Sequence, residues 1–203
     1  MQKLSKGLYL GCIIGGEVAG IICVTIGVII LIAAGVMAGI TEGKFSGLNM
    51  GLVGAGIFFF LLGMALTIVA AIFGYVLLYK AWQAIQDGQP RTTPGKAVGF
   101  LFIPFFNFYW MFVAYWGWAK DYNAYISTKG FNLTKMPEGL FLAFPIIVLC
   151  SGIPYLGYVA GIAIIVIFIM IIYQMIDAVN GIIDARNAGA STPIFQQAPI
   201  STV

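Results

Sequence analysis

The sequence predicts an all-α integral membrane protein: a four-helix transmembrane bundle carrying a proline-broken aromatic hairpin that re-enters or lies along the membrane interface. Three observations carry this. The chain of 203 residues is 61% hydrophobic and only 8% charged, where a soluble domain carries roughly 25% charge. Three apolar stretches exceed the roughly 20 residues that cross a bilayer. Between the second and third lies Thr93 to Tyr125, which holds three of the four tryptophans around one proline, Pro104.

Residues 1–189 form one membrane domain in this reading, followed by a tail at 190–203. The N-terminal run to Ile40 is far longer than a signal-peptide core and reads as a retained first helix. From Gly7 it would make about 50 Å of helix against about 30 Å of hydrocarbon. An interfacial start over residues 1–16 is therefore expected, followed by a span over 18–39. Glu17 sits at the join, where a carboxylate is either a functional intramembrane group or a solvated one at headgroup depth. Gly11/Gly15, Gly16/Gly20 and Gly35/Gly39 are GxxxG pairs, whose missing side chains allow close helix approach.

A polar turn at 41–47 leads to the second span at 49–79. Its helix continues outward to Gln86, placing Tyr79 and Trp82 at headgroup level as interfacial anchors. Gly88 and Pro90 end it, and Pro94 sits where a new helix starts. Within the aromatic segment, 93–126, Pro104 lacks an amide and breaks the helix, Asn107 is placed to cap its restart, and Trp110, Trp116 and Trp118 are expected at the interface. The third and fourth spans fall at 139–152 and 155–177, the last continuing as an amphipathic helix through Asp177 and Arg186.

Positive charge arbitrates the alternative, in which the aromatic segment itself spans. Spanning divides the lysines and arginines six against four, with Lys44, Lys120, Lys129 and Lys135 opposite the rest; re-entry divides them nine against one, with only Lys44 outside. The second division obeys the positive-inside rule and places both termini in the cytoplasm.

The string PGKAVGFLFIPFFNFYWMFVAYWGWAKDYN, Pro94 to Asn123, resembles a segment of uncharacterised bacterial multi-pass membrane proteins. In these a Pro-Gly-Lys-Ala turn precedes Phe-Ile-Pro-x-Phe-Asn-x-Tyr-Trp and a Lys-Asp-x-Asn exit. The resemblance covers 30 to 45 residues, implies a bacterial inner-membrane setting and brings no activity with it.

Several chemistries lack their residues. The chain has no histidine, the usual general base and haem or metal ligand. Cys12, Cys23 and Cys150 stand apart within apolar runs, and no phosphate loop or paired-carboxylate motif occurs. A net charge of +3 gives no basic patch for nucleic acid. The polar candidates for function are Glu17, Lys120, Asp121 and Asp177.

The expectation is a non-enzymatic protein without cofactor or metal, a structural or accessory subunit of a larger membrane complex. Its partners would be lipids and either other membrane subunits or further copies of itself. The alternatives are an oligomeric channel or small transporter, and a lipid-binding or membrane-shaping protein.

Overall fold

The structure, a computed structural model, describes residues 2–40, 50–153 and 156–190. The predicted turn at 41–47 with Lys44, and the tail beyond residue 190, lie outside them. Every described element is helical: α1, Lys6–Leu10; α2, Gly16–Ile40; α3, Met50–Ala84; α4, Pro94–Gly99; α5, Phe106–Met111; α6, Trp118–Thr128; α7, Glu138–Cys150; and α8, Leu156–Ala190. Three stretches, Lys6–Gly35, Met50–Ala84 and Ala160–Ala188, are long and apolar enough to cross a membrane, whereas α7 is a shorter apolar helix. At 13 residues it reaches only about 20 Å.

The chain divides into two compact units, Gly7–Tyr75 and Met1–Lys6 with Val76–Val203. In the first, α1 and α2 are joined by a single π-helical turn, Gly11–Gly15. The expected separation into an interfacial helix over 1–16 and a span over 18–39 does not occur. Glycines soften a helix but, unlike proline, keep the amide that propagates it. One widened turn is the whole of the interruption.

α2 and the first part of α3 run antiparallel along a glycine seam. A Cβ added to Gly63 would stand 2.6 Å from the Gly20 carbonyl oxygen, and one added to Gly27 would stand 2.6 Å from the amide nitrogen of Phe60 and 2.8 Å from the Gly56 oxygen. Backbone therefore rests on backbone at two levels, Gly20 with Gly63 and Gly27 with Gly56, each helix using the same seven-residue step. Such contact gives dispersion along the whole seam without a hydrophobic driving force, which lipid does not supply. Thr67 donates its hydroxyl back to the Gly63 carbonyl at 2.9 Å and turns its methyl toward Gly20. At the other end of the seam Tyr9 meets Phe73 edge to face at 6.0 Å.

Of the glycines expected in helix packing, Gly16 and Gly20 lie against Ala70 and Thr67, whereas Gly11, Gly15 and Gly35 face open space. The surroundings of Gly39 are outside the described residues. Glu17 is half-buried beside the π-helical turn and has no partner among the described residues.

The second unit gathers the end of α3, the short helices α4 to α6, α7, α8 and the N-terminal residues 2–6. Thr93 caps α4 by accepting the Lys96 amide at 3.4 Å, with Pro94 at the first helical position. A 3₁₀ turn at Phe100–Phe102 ends with Ile103 extended, Pro104 follows, and Phe105 takes φ +62°. That left-handed conformation is uncommon for a residue with a Cβ. The helix restarts at Phe106 with Phe105 at its N-cap. Asn107 is not the cap: it lies one residue inside α5, and its Oδ1 is buried without a partner. The turn closes through backbone alone, Phe106 donating to the Pro104 carbonyl at 2.7 Å and Asn107 to Ile103 at 3.0 Å.

A second π-helical turn, Phe112–Gly117, joins α5 to α6. α6 ends on Gly130 at φ +66°, where Phe131 donates back to Ile126 at 2.9 Å and Gly130 to Ser127 at 3.3 Å. This is the paired closure that favours glycine after a helix.

The core of this unit is aromatic. Trp82 and Trp118, expected as interfacial anchors, are both 0% exposed and face protein. Trp82 donates its indole N–H to the Ala114 carbonyl at 3.0 Å, in the π-helical turn, and Trp118 packs between Tyr122 and Phe141. The polar edge of Trp82 is as well served by a buried carbonyl as by a headgroup, whereas the Trp118 indole N–H is buried without a partner; residue type alone does not separate the settings.

Replacing Gly63 by alanine is expected to lower the stability of the α2–α3 pair by about 1–3 kcal/mol through overpacking, while Gly35→Ala changes little. Thermal unfolding of the two variants in one mild detergent checks this. Equal melting temperatures would show that the seam is not the contact that holds the pair.

Candidate functional site

The polar groups of the second unit converge where α3 ends. Asp87 lies just past that helix, on the first turn of chain that α3 does not include. Arg186, on α8, donates through Nη2 to the Ala84 carbonyl at 2.7 Å, to the Tyr125 hydroxyl at 2.8 Å and to Asp87 Oδ1. The Tyr125 hydroxyl is shared between the two oxygens of Asp87 at 3.0 and 3.1 Å, and Lys129 completes the group 3.2 Å from Oδ2. One carboxylate therefore ties the end of α3 to α6 and α8.

Two clamps work beside it. Asn180 on α8 accepts the Leu4 amide at 2.7 Å and donates to the Leu4 carbonyl at 2.9 Å, treating that residue as a neighbouring strand would. Lys3 with Asp184 at 2.6 Å, and Lys6 with Asp177, bracket the clamp. Asn123 on α6 does the same for Met136, accepting its amide at 2.7 Å and donating to its carbonyl at 2.9 Å. Each carboxamide satisfies both backbone groups of one residue, which a buried, non-helical segment requires.

Arg91 is held by Asp121. Its Nε and Nη2 donate to Oδ1 at 3.0 and 2.7 Å, and its backbone N–H donates to Oδ2 at 2.9 Å. The Gln86 amide donates to the Thr92 carbonyl at 3.2 Å, closing the loop between α3 and α4. Lys120 lies 3.5 Å from the centre of the Trp116 ring, close enough for a cation–π contact.

Two clefts open on either side of this loop. One, of about 720 Å³, is lined by Asp87, Asp121, Tyr125 and Lys129 with the backbone at Gly88–Pro90. The other, of about 560 Å³, has Arg91, Thr92 and Lys96 on one wall and Phe100 and Trp110 on the other. Neither gathers a nucleophile and a base at hydrogen-bonding distance, and no cluster of three metal-ligating side chains occurs among the described residues.

The sequence-predicted polar residues separate accordingly. Asp121 and Asp177 enter ion pairs that fasten the chain, Lys120 rests on Trp116, and Glu17 belongs to the other unit. The residues that sequence reasoning passed over are Asp87, Tyr125, Asn180 and Arg186. Their one legible signal is the amphipathic end of α8, where Asp177 and Asp184, opposite in charge to Lys3 and Lys6, flank Asn180 and precede Arg186.

Partial burial acts to raise the Asp87 carboxyl, but Lys129, Tyr125 and Arg186 together hold it below its ordinary 3.8. Burial pushes the Tyr122 phenol up to about 12, so it stays neutral and donates to the Thr134 carbonyl at 3.4 Å.

Comparison with family models, with curated proteins and with solved structures gives no match.

A depressed carboxylate contributes stability that is complete above its unfolded value and is lost as pH falls through the folded one. The part of the stability that comes from Asp87 is therefore expected to be flat above 3.8 and to decline below it. Asp87→Asn removes that decline and lowers the plateau. Because Asp87 is half exposed, added salt shrinks the difference. Unfolding followed by Trp fluorescence from pH 7 to pH 3 checks this; an unchanged acid limb in Asp87→Asn would show that other carboxylates set it.

Proposed function

We propose that this protein is a non-catalytic structural or accessory subunit of a bacterial inner-membrane assembly. Both termini are cytoplasmic, and residues 93–126 are seated as a re-entrant hairpin in the cytoplasmic leaflet. The observation that carries the topology is the pairing of charges across the aromatic segment: Arg91 before it binds Asp121 after it, and Asp87 binds Lys129. A straight helix over residues 97–119 would part those ends by roughly 35 Å. Their contact is what a hairpin that turns back at Pro104 requires. It also returns nine of the ten basic side chains to one face, in keeping with the positive-inside rule.

Support for an accessory role lies in how the polar and small residues are used. Asn123, Asn180, Asp87, Asp121 and Arg186 are engaged in holding the chain's own segments. Gly7, Gly11 and Gly15 meet nothing within 4 Å, leaving the kind of small-residue face that elsewhere in the same unit receives a helix at Gly20 and Gly27. A bacterial setting follows the resemblance of residues 94–123.

A single cysteine at Ser127, in a background lacking Cys12, Cys23 and Cys150, is expected to react with an impermeant maleimide only when the cytoplasmic face is open. Labelling in intact cells overturns the hairpin. Native mass spectrometry of the protein drawn from membranes in mild detergent is expected to show a second, different polypeptide in the complex. A homomeric ring or a bare monomer would contradict the accessory role.

A further inference from the structure

The 560 Å³ cleft at the base of the aromatic hairpin is amphipathic in a way the proposed subunit role does not use. Its polar lining is Gln86, Gln89, Arg91, Thr92, Thr93 and Lys96. Arg91 has committed Nε and Nη2 to Asp121, so the free charge at this wall is Lys96, which is exposed and has no anionic partner among the described residues. Thr92 is only 7% exposed, and its hydroxyl is buried with no partner at all. A buried hydroxyl ordinarily has a partner; this one belongs to a wall that ends in a lysine.

The opposite wall is rigid and apolar. Trp110 donates its indole N–H to the Ala97 carbonyl at 3.1 Å, which fixes the ring. Phe100 meets it edge to face at 4.7 Å, and Phe106 stacks on it at 5.5 Å. From this wall the apolar surface continues to the hairpin tip, where Phe102, Ile103, Phe105 and Tyr109 are 63%, 45%, 85% and 62% exposed. Phe105, the most exposed, is the residue held at positive φ.

We infer that this cleft binds the headgroup of an anionic phospholipid, with the phosphate at Lys96 and the acyl chains lying over Phe100, Trp110 and the tip. The inference rests on the cytoplasmic-leaflet seat of the hairpin. The occupant follows from the arrangement: a lysine without an anionic partner selects an anionic group, and an aromatic path away from it selects a ligand whose other end is hydrocarbon. The site recognises the headgroup by charge, and the lipid by what is attached to it.

The full-length protein in nanodiscs made from equal parts phosphatidylglycerol and phosphatidylcholine tests this, with bound lipid read by native mass spectrometry. Wild type is expected to retain phosphatidylglycerol in preference to phosphatidylcholine. Lys96→Gln reduces that preference about fivefold, the effect of one interfacial cation, and Lys135→Gln, whose side chain does not line the cleft, leaves it unchanged. Inorganic phosphate at millimolar concentration does not displace the lipid. Equal retention of both lipids by wild type, an unchanged preference in Lys96→Gln, or displacement by phosphate alone would each overturn the site. Ser127→Cys labelling in intact cells and in inverted membrane vesicles separates the causes: loss of preference with cytoplasmic-only labelling sinks the headgroup site alone, whereas outside labelling sinks the hairpin and the site together.

Discussion

The second unit depends on one carboxylate. Asp87 stands where α3 has ended and no further helical hydrogen bond is available, and it is reached from α8 by Arg186 and from α6 by Tyr125 and Lys129. Isolated surface ion pairs contribute little. This one differs because the same guanidinium also occupies the Ala84 carbonyl at the terminus of α3 and the same phenol is shared by both partners. An orphaned helix-end carbonyl, a carboxylate, a hydroxyl and two cations are satisfied together. This group fixes the end of α3 against α6 and α8 in one register.

The two units solve the problem of association in a membrane differently. Between α2 and α3 the answer is absence of side chain, with Gly20 on Gly63 and Gly27 on Gly56 bringing backbones together. Around α6 and α8 the answer is the polar side chain, with Asn123 and Asn180 each imitating a peptide group for a segment that has no helix of its own. Both are means by which chains pack when hydrophobicity is the same inside and out. The first suits long regular helices. The second suits the short, broken elements between 84 and 138, whose backbone would otherwise be unsatisfied.

Helical class, the three long apolar stretches and the interruption near Pro104 were legible because composition, length and proline chemistry act locally. What composition could not reveal was partnership. The search for GxxxG found Gly16/Gly20 but missed Gly27, Gly56 and Gly63, because Gly20/Gly27 and Gly56/Gly63 are spaced by seven and each is matched by a residue on the other helix. Trp82 and Trp118 carry the same signature as interfacial tryptophans, and only the Ala114 carbonyl and the Phe141 ring tell their burial apart. Asp87 reads as one polar residue among several in a turn; its importance comes from Arg186, 99 positions away. The restart at Phe106 rather than behind Asn107 follows from Phe105 adopting a conformation that local propensity disfavours.

The proposed hairpin requires the aromatic segment to return to the side from which it departs. A cysteine pair replacing Arg91 and Asp121, in a chain without Cys12, Cys23 and Cys150, reads that directly when native membranes are treated with a short bifunctional thiol reagent. An intramolecular cross-link formed in high yield is the result expected of a hairpin. Two cysteines that each react singly with the reagent, yet never with each other, would place the two ends on opposite faces and contradict it.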